Sequence, residues 1–102
     1  VIFTYKNYNI HIVDLPGTYS LNEFAQDEKV TKLFLENEHY DLILNVLDAT
    51  NLERNLNLTT QLFSMHKKML IAVNMMDEAK EEGIVLNIKQ LESILGVNTL
   101  PV

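Results

Sequence analysis

An α/β fold is what this chain predicts, and three features of its sequence carry the prediction. From Asp14 onward, short apolar runs of strand length alternate with stretches whose apolar residues recur at helical spacing. The connections between them have the lengths that right-handed crossovers between parallel strands use. Ahead of them, two β-rich runs around a polar turn read as an antiparallel hairpin on one edge. The expected architecture is one domain over residues 1–102, a mainly parallel sheet with helices on both faces and an antiparallel edge hairpin.

Taken in order, Val1 to Tyr5 is β-branched and aromatic, Lys6-Asn7 is turn-like, and Tyr8 to Val13 is β-rich again. Asp14-Leu15-Pro16-Gly17 then breaks the strand, and Thr18 to Gln26 is polar without periodicity, which reads as a mobile loop. Asp27 to Glu38 spaces Val30, Leu33 and Phe34 as one helical face, with Asp27 and Glu28 in a first turn that favours negative charge. Leu42 to Leu47 is nearly continuous in apolar residues, the mark of a strand covered on both faces. Thr50 and Glu53 have capping-box spacing ahead of a helix running to about Met65, with Leu52, Leu56 and Phe63 on one stripe. Met69 to Val73 is a further buried strand ending at Asn74. Met76 to Glu82 is a short acidic helix stopped by Gly83. Asn87 with Gln90 caps the next helix, which buries Ile88, Leu91 and Leu95 and stops at Gly96, and Asn98 to Val102 is a final strand.

The 102 residues carry enough apolar content (47%) for one modest core. With no Cys there is neither a disulfide framework nor a thiolate metal site. A formal charge of −6, with scattered basic residues, argues against nucleic acid as a partner. No apolar run approaches the ~18–20 residues that span a bilayer, and no signal peptide is visible. The expectation is therefore a soluble piece on the cytoplasmic side. The chain opens at Val1 inside a strand pattern, without an initiator Met, and closes just after another strand, so it reads as a segment of something longer.

Two motifs carry the chemistry. Asp14-x-x-Gly17 falls at the C-terminal end of a strand, where α/β sheets bind ligands. There Asp14 can hold magnesium, usually through water, and the Gly17 N–H can reach a terminal phosphate. Asn74-Met75-Met76-Asp77 follows a buried strand and opens a short helix. An amide and a carboxylate at this spacing suit the edge of guanine, whose ring N–H and exocyclic amine can both donate to one carboxylate. Adenine presents an acceptor and no amine there, so an Asp rejects it by repulsion as well as by lost bonds. Charge-assisted hydrogen bonds of roughly 1.5–3 kcal/mol each are large enough to separate the two bases. Parallel strands would bring both motifs to one rim.

At this point the sequence closely resembles the GTP-binding domain of the bacterial ferrous iron transport protein B (FeoB) family. The resemblance rests on the Ile12 to Leu21 run, Asp27-Glu28-Lys29-Val30, the Asp48 to Leu56 block and Asn74 to Ala79. It implies a Ras-like P-loop GTPase core. It also implies that Asp14 is a water-mediated magnesium ligand, Gly17 a γ-phosphate-sensing amide, and Asn74 and Asp77 the guanine readers. Met75 stands where small GTPases place a Lys along the base, and Thr18 where a water-orienting Gln often sits. Residues 18–28 correspond to a segment ordered by γ-phosphate and released on hydrolysis. The implied cofactors are GTP or GDP with Mg2+. The implied partner is the membrane transport domain of the same parent chain, at the bacterial inner membrane, where nucleotide state gates Fe2+ uptake.

The departures from that pattern are as informative. No G-x-x-x-x-G-K-[S/T] loop is present, although that loop cradles the phosphates and binds magnesium. The segment alone is accordingly expected to be inactive, with no catalytic residue assigned. In the family's fold the missing P-loop strand lies between the Tyr8–Val13 and Leu42–Leu47 strands. Those neighbours must pair directly, accept a foreign strand, or leave a gap whose exposed edges invite self-association.

Other residues have plainer explanations. His11, His39 and His66 are far apart and lack ligand spacing, so a strand face and two helix ends account for them. Met65, Met69, Met75 and Met76 suit core and helix packing. Asp48 and Glu53 serve a loop and a cap rather than paired catalysis. The rival function is a nucleotide-free α/β interaction module that contacts a partner through residues 18–28. A phosphoacceptor receiver would need an early acidic pair, which is absent.

Overall fold

The hairpin forms where the two β-rich runs place it, in a computed structural model that describes residues 1–22 and 25–102. Strand β1 (Ile2–Tyr5) pairs antiparallel with β2 (Tyr8–His11) around a two-residue turn in which Lys6 is left-handed, φ 53°. Regular strand ends at His11 rather than Val13. The ladder is nonetheless extended by the Ile12 N–H donating to the Val1 carbonyl (2.8 Å) and the Val1 backbone nitrogen donating back to the Ile12 carbonyl (3.0 Å).

Strands β3 (Ile43–Asp48), β4 (Met69–Asn74) and β5 (Thr99–Pro101) form a separate parallel sheet in the order β3-β4-β5. Between them run α1 (Gln26–Asn37), α2 (Leu52–Phe63), α3 (Met76–Glu81) and α4 (Ile88–Leu95). The register matches Ile43 with Met69 and Asp48 with Asn74, so β3 and β4 end level at their C-terminal tips.

Side chains alternate across a strand, and here the alternation decides the layers. Ile43, Asn45 and Leu47 are buried with Ile71 and Val73, beneath Leu62 of α2 and in one cluster with Leu35 and Leu91. On the other face Leu44 and Val46 are each 53% exposed and Leu100 52%. The Leu42–Leu47 run, expected to be covered on both faces, is covered on one. Its nearly continuous apolarity could not reveal that, because its one polar residue, Asn45, falls on the covered face and its exposed face is wholly apolar. The thinnest dimension, 23 Å, fits one sheet with one helical layer.

Strand β2 does not pair with β3, so direct pairing of the two neighbours, one of the three outcomes weighed for the missing strand, does not occur. The radius of gyration, 14.5 Å, exceeds the ~13 Å of a compact chain this long.

Two local expectations are corrected. On α1 the buried residues are Thr31 and Leu35, while Val30 and Leu33 are 40% and 46% exposed. The helix is turned so that the Thr31 hydroxyl donates to the Pro16 carbonyl (3.3 Å), which ties α1 to the Asp14 loop. Tyr40 closes the far end of α1, its hydroxyl donating to the Leu35 carbonyl (2.6 Å), and burial pushes its phenol pKa up. At the start of α2, the Thr50–Glu53 capping box does not form. Asp48 Oδ1 instead accepts from both the Thr50 N–H (2.8 Å) and the Thr50 hydroxyl (2.6 Å). A 3-10 turn over Ala49–Asn51 follows, and the helix begins at Leu52.

Elsewhere the punctuation works as read. Asn87 Oδ1 accepts from the Gln90 N–H (3.1 Å), and Gly96 ends α4 with φ 73°. Gly83, φ 81°, follows α3.

Candidate functional site

The C-terminal rim of the three-stranded sheet is assembled by level strand ends. Asp48 on β3 and Asn74 on β4 are register partners there. After β3 the chain turns through Ala49–Asn51, and after β4 it turns through Met75 into α3, which packs against that same turn. The contact is close because both elements bring an alanine to it, Ala49 1% and Ala79 2% exposed.

Met75 is the pivot of the second turn. It is left-handed (φ 64°, ψ 30°), a conformation uncommon for a residue with a Cβ. Asn74 Oδ1 accepts the Met75 N–H (2.9 Å), and the Met75 carbonyl accepts from Ala79. This geometry ends β4 and starts α3 within one residue. Asn74, Met75 and Asp77 are all exposed at the rim, with Asp77 in the first helical turn.

The Asp14 loop reaches the body of the molecule through its neighbours rather than through Asp14, which is exposed. Leu15 packs on the core cluster, and the Pro16 carbonyl accepts from Thr31. Gly17 has ordinary negative φ, and a Cβ added to it would meet nothing within 4 Å. The protein's own packing therefore gives no reason for a glycine here.

Beyond Gly17 the chain lies along α2. The Asn57 amide donates to the Tyr19 carbonyl (3.1 Å), and the Arg54 guanidinium carbon stands 3.6 Å from the Tyr19 ring centroid. Gln61 Oε1 accepts the Leu21 N–H, and Leu21 itself is 6% exposed in the core. On its other side Ser20 donates to Glu28 (3.0 Å) on α1. Arg54 and Asn57 belong to the first half of α2, which starts from the C-terminal end of β3. The stretch following Asp14 and Gly17 is thus attached on the side of the rim that bears Asn74 and Asp77. Glu23 and Phe24, within the expected loop, lie outside the described residues. The roles of Arg54, Asn57 and Gln61 escape a reading by motif; their i, i+3, i+7 spacing was the available signal.

The donor set can be tested against magnesium. Among the described residues no three His, Cys, Asp or Glu side chains converge. These residues do not make a metal cage, and Asp14 offers one exposed carboxylate. Among the described residues the histidines join no metal-binding group, and His39 stands 3.9 Å from the exposed Asp41.

A three-stranded parallel sheet, helices packed on it and an antiparallel hairpin match the Ras-like α/β core of solved G domains. The FeoB G domain of Methanococcus jannaschii superposes with a TM-score of 0.94 at 46% identity, covering 99% of this chain and 65% of that one. The cytosolic domain of Legionella pneumophila FeoB superposes with a TM-score of 0.95 at 44% identity, over 99% of this chain and 40% of that one. The family described as ferrous iron transport protein B matches residues 1–102. This chain belongs to that family. It is 58% identical over 101 residues to a Helicobacter pylori protein named Fe(2+) transporter FeoB, and spans 99% of its own length but 16% of that relative's. With the Campylobacter jejuni protein of the same name, identity is 60% over 83 residues, 81% of this chain and 14% of that one.

Proposed function

We propose that this chain is the base-reading part of a guanine-nucleotide-binding domain in a ferrous iron transporter, where nucleotide state gates Fe2+ uptake by the membrane part. Asn74 and Asp77 address the guanine edge, with Met75 beside the base, and Asp14 and Gly17 address the magnesium and γ-phosphate end. The observation that carries the reading is the rim itself. Asn74 ends a central strand level with Asp48, and a left-handed Met75 turns Asp77 outward in the first turn of α3. Open space in front of Gly17 supports a ligand approaching the backbone there.

Hydrolysis is not assigned to these residues. No Gly-rich phosphate cradle lies among them, and Thr18, at the position where a water-orienting Gln often sits, donates to the Ser20 carbonyl (2.8 Å). Their part is to recognise the base and to sense the terminal phosphate. Localisation at the cytoplasmic side of the inner membrane, beside the transport domain, belongs to the same proposal. No helix among the described residues is long and apolar enough to cross a membrane.

The test is a titration of fluorescent GDP and ADP analogues into the protein at its full natural length. Guanine-selective, magnesium-dependent binding is expected. Asp77→Ala should weaken GDP binding by about 100-fold or more, as two charge-assisted hydrogen bonds disappear, and strengthen the weak ADP binding, as the repulsion toward adenine is relieved. Equal weakening of both nucleotides would remove the base-reading role. Absence of any guanine binding would leave the competing reading, an interaction module working through residues 18–28.

A further inference from the structure

One face of α2 grips the segment that follows the Asp14 loop at successive points. Arg54, Asn57 and Gln61 stand at i, i+3 and i+7, so they line up along about two turns of helix. They meet, in order, the Tyr19 ring, the Tyr19 carbonyl and the Leu21 N–H. We propose that this stripe is a releasable latch: it holds residues 19–21 against α2, and through the short link at Pro16 to Thr18 it positions the loop carrying Asp14 and Gly17. Arg54, Asn57 and Gln61 are then positioning residues, and α2 is the element that registers where the loop stands. The inference rests on these contacts alone and holds whether or not the rim reads guanine.

Burial distinguishes a latch from permanent structure. The contact that fixes α2 to β3 is Asn45 to Thr59 (2.6 Å), at 6% and 0% exposure, where water cannot replace a lost partner. Of the contacts gripping residues 19–21, those of Arg54 and Asn57 lie at the surface, and the Leu21 N–H meets Gln61 at the part-buried edge of the core. Arg54 and Asn57 are exposed, Tyr19 is 45% exposed, and Gln61 is half-buried. Water can satisfy these groups once they part, so each contact is individually weak. Leu21 is the one fully buried apolar anchor among residues 18–22. Residues 12–22 pair with neither sheet, apart from the Ile12 exchange with Val1. A segment held by exchangeable polar contacts and one apolar anchor belongs to the low end of local stability, where opening precedes global unfolding. Release frees Leu21 and Tyr19 together and leaves the β3-α2 contact in place.

Amide hydrogen exchange in the protein at its full natural length tests this, because the Leu21 N–H is itself a latch atom. Gln61→Ala should speed Leu21 exchange by about tenfold, the loss of one ordinary hydrogen bond, and Gln61→Glu, which keeps an acceptor, should restore slow exchange. Arg54→Ala should also speed Leu21 exchange, roughly threefold, although Arg54 does not touch that amide; Arg54→Lys should retain part of the protection. The β4 amides of Ile71 and Val73 should be unchanged in all four variants. An unaltered Leu21 rate in Gln61→Ala, or in Arg54→Ala, overturns the latch. So does β4 exchange that accelerates in step, since the residues would then serve global stability. Adding GDP in a parallel series reads protection at residues 74–77 and so judges the nucleotide assignment separately.

Discussion

Asn45 sits in the middle of β3 with its amide turned into the core, where a strand of this apolarity would ordinarily carry Val or Ile. Its Nδ2 donates to Thr59 Oγ1 (2.6 Å), and the Thr59 hydroxyl donates onward to the Asn55 carbonyl (3.4 Å). No buried side-chain nitrogen or oxygen among the described residues lacks a partner. The pair is therefore satisfied, and breaking one half should cost more than removing both. Thr59→Val, nearly isosteric, strands the Asn45 amide and should lower stability by about 1–3 kcal/mol, whereas Asn45→Leu with Thr59→Val should lie close to the parent. Urea denaturation midpoints of the two variants check this, and equal losses would mean that the amide finds water. Asn45 could be read from the sequence as a polar interruption of a strand. Its partner could not, because Thr59 is 14 residues away on a helix whose apolar stripe draws attention first.

At the scale of elements, two sequence signals with the same spacing had opposite outcomes. Asn87 with Gln90 caps α4 as its pattern indicates, and Asn87→Ala should destabilise the protein by about 1 kcal/mol, while Asn87→Ser should be nearly silent. The measurement is the thermal midpoint, with faster exchange of the first-turn amides of α4 as its local signature. Thr50 with Glu53 carries the same spacing, yet its hydroxyl donates to Asp48, and the chain enters a 3-10 turn before α2. A competing carboxylate two residues upstream won, and nothing in the spacing excluded it. On α1 the apolar positions pointed to Val30, Leu33 and Phe34, but the helix buries Thr31 and Leu35, since the Thr31 bond to Pro16 sets its rotation. Where an apolar stripe competes with a polar tether to a neighbouring loop, periodicity alone misplaces the buried face by about one residue.

For the whole molecule, the consequential feature is the unpaired side of β3. Among the described residues that strand bonds to β4 alone, and Leu44 and Val46 on it are half exposed, as are Ile12 and Val13 beyond β2 at 46% and 48%. A strand edge and an apolar face open together are a template for association. The 102-residue chain should therefore self-associate reversibly as its concentration rises, and Leu44→Lys should shift it toward monomer without lowering the denaturation midpoint. Sedimentation velocity would show the shift. A chain that stays monomeric with Leu44 intact would mean that the edge is protected in solution by some rearrangement of the hairpin.

The sequence by itself determined what depends on neighbours along the chain: strand and helix order, the α4 cap, the glycine stops, and the Asp14–Gly17 and Asn74–Asp77 motifs with their family resemblance. These are encoded within a few residues, where backbone preference and side-chain chemistry act locally. Only the tertiary structure decided which face of β3 is covered, how α1 is rotated, that β2 and β3 stay apart, and that Arg54, Asn57 and Gln61 hold the segment after Gly17. Each of those depends on contacts between residues distant in sequence, and their free energies are set by what packs against what, which no local pattern records.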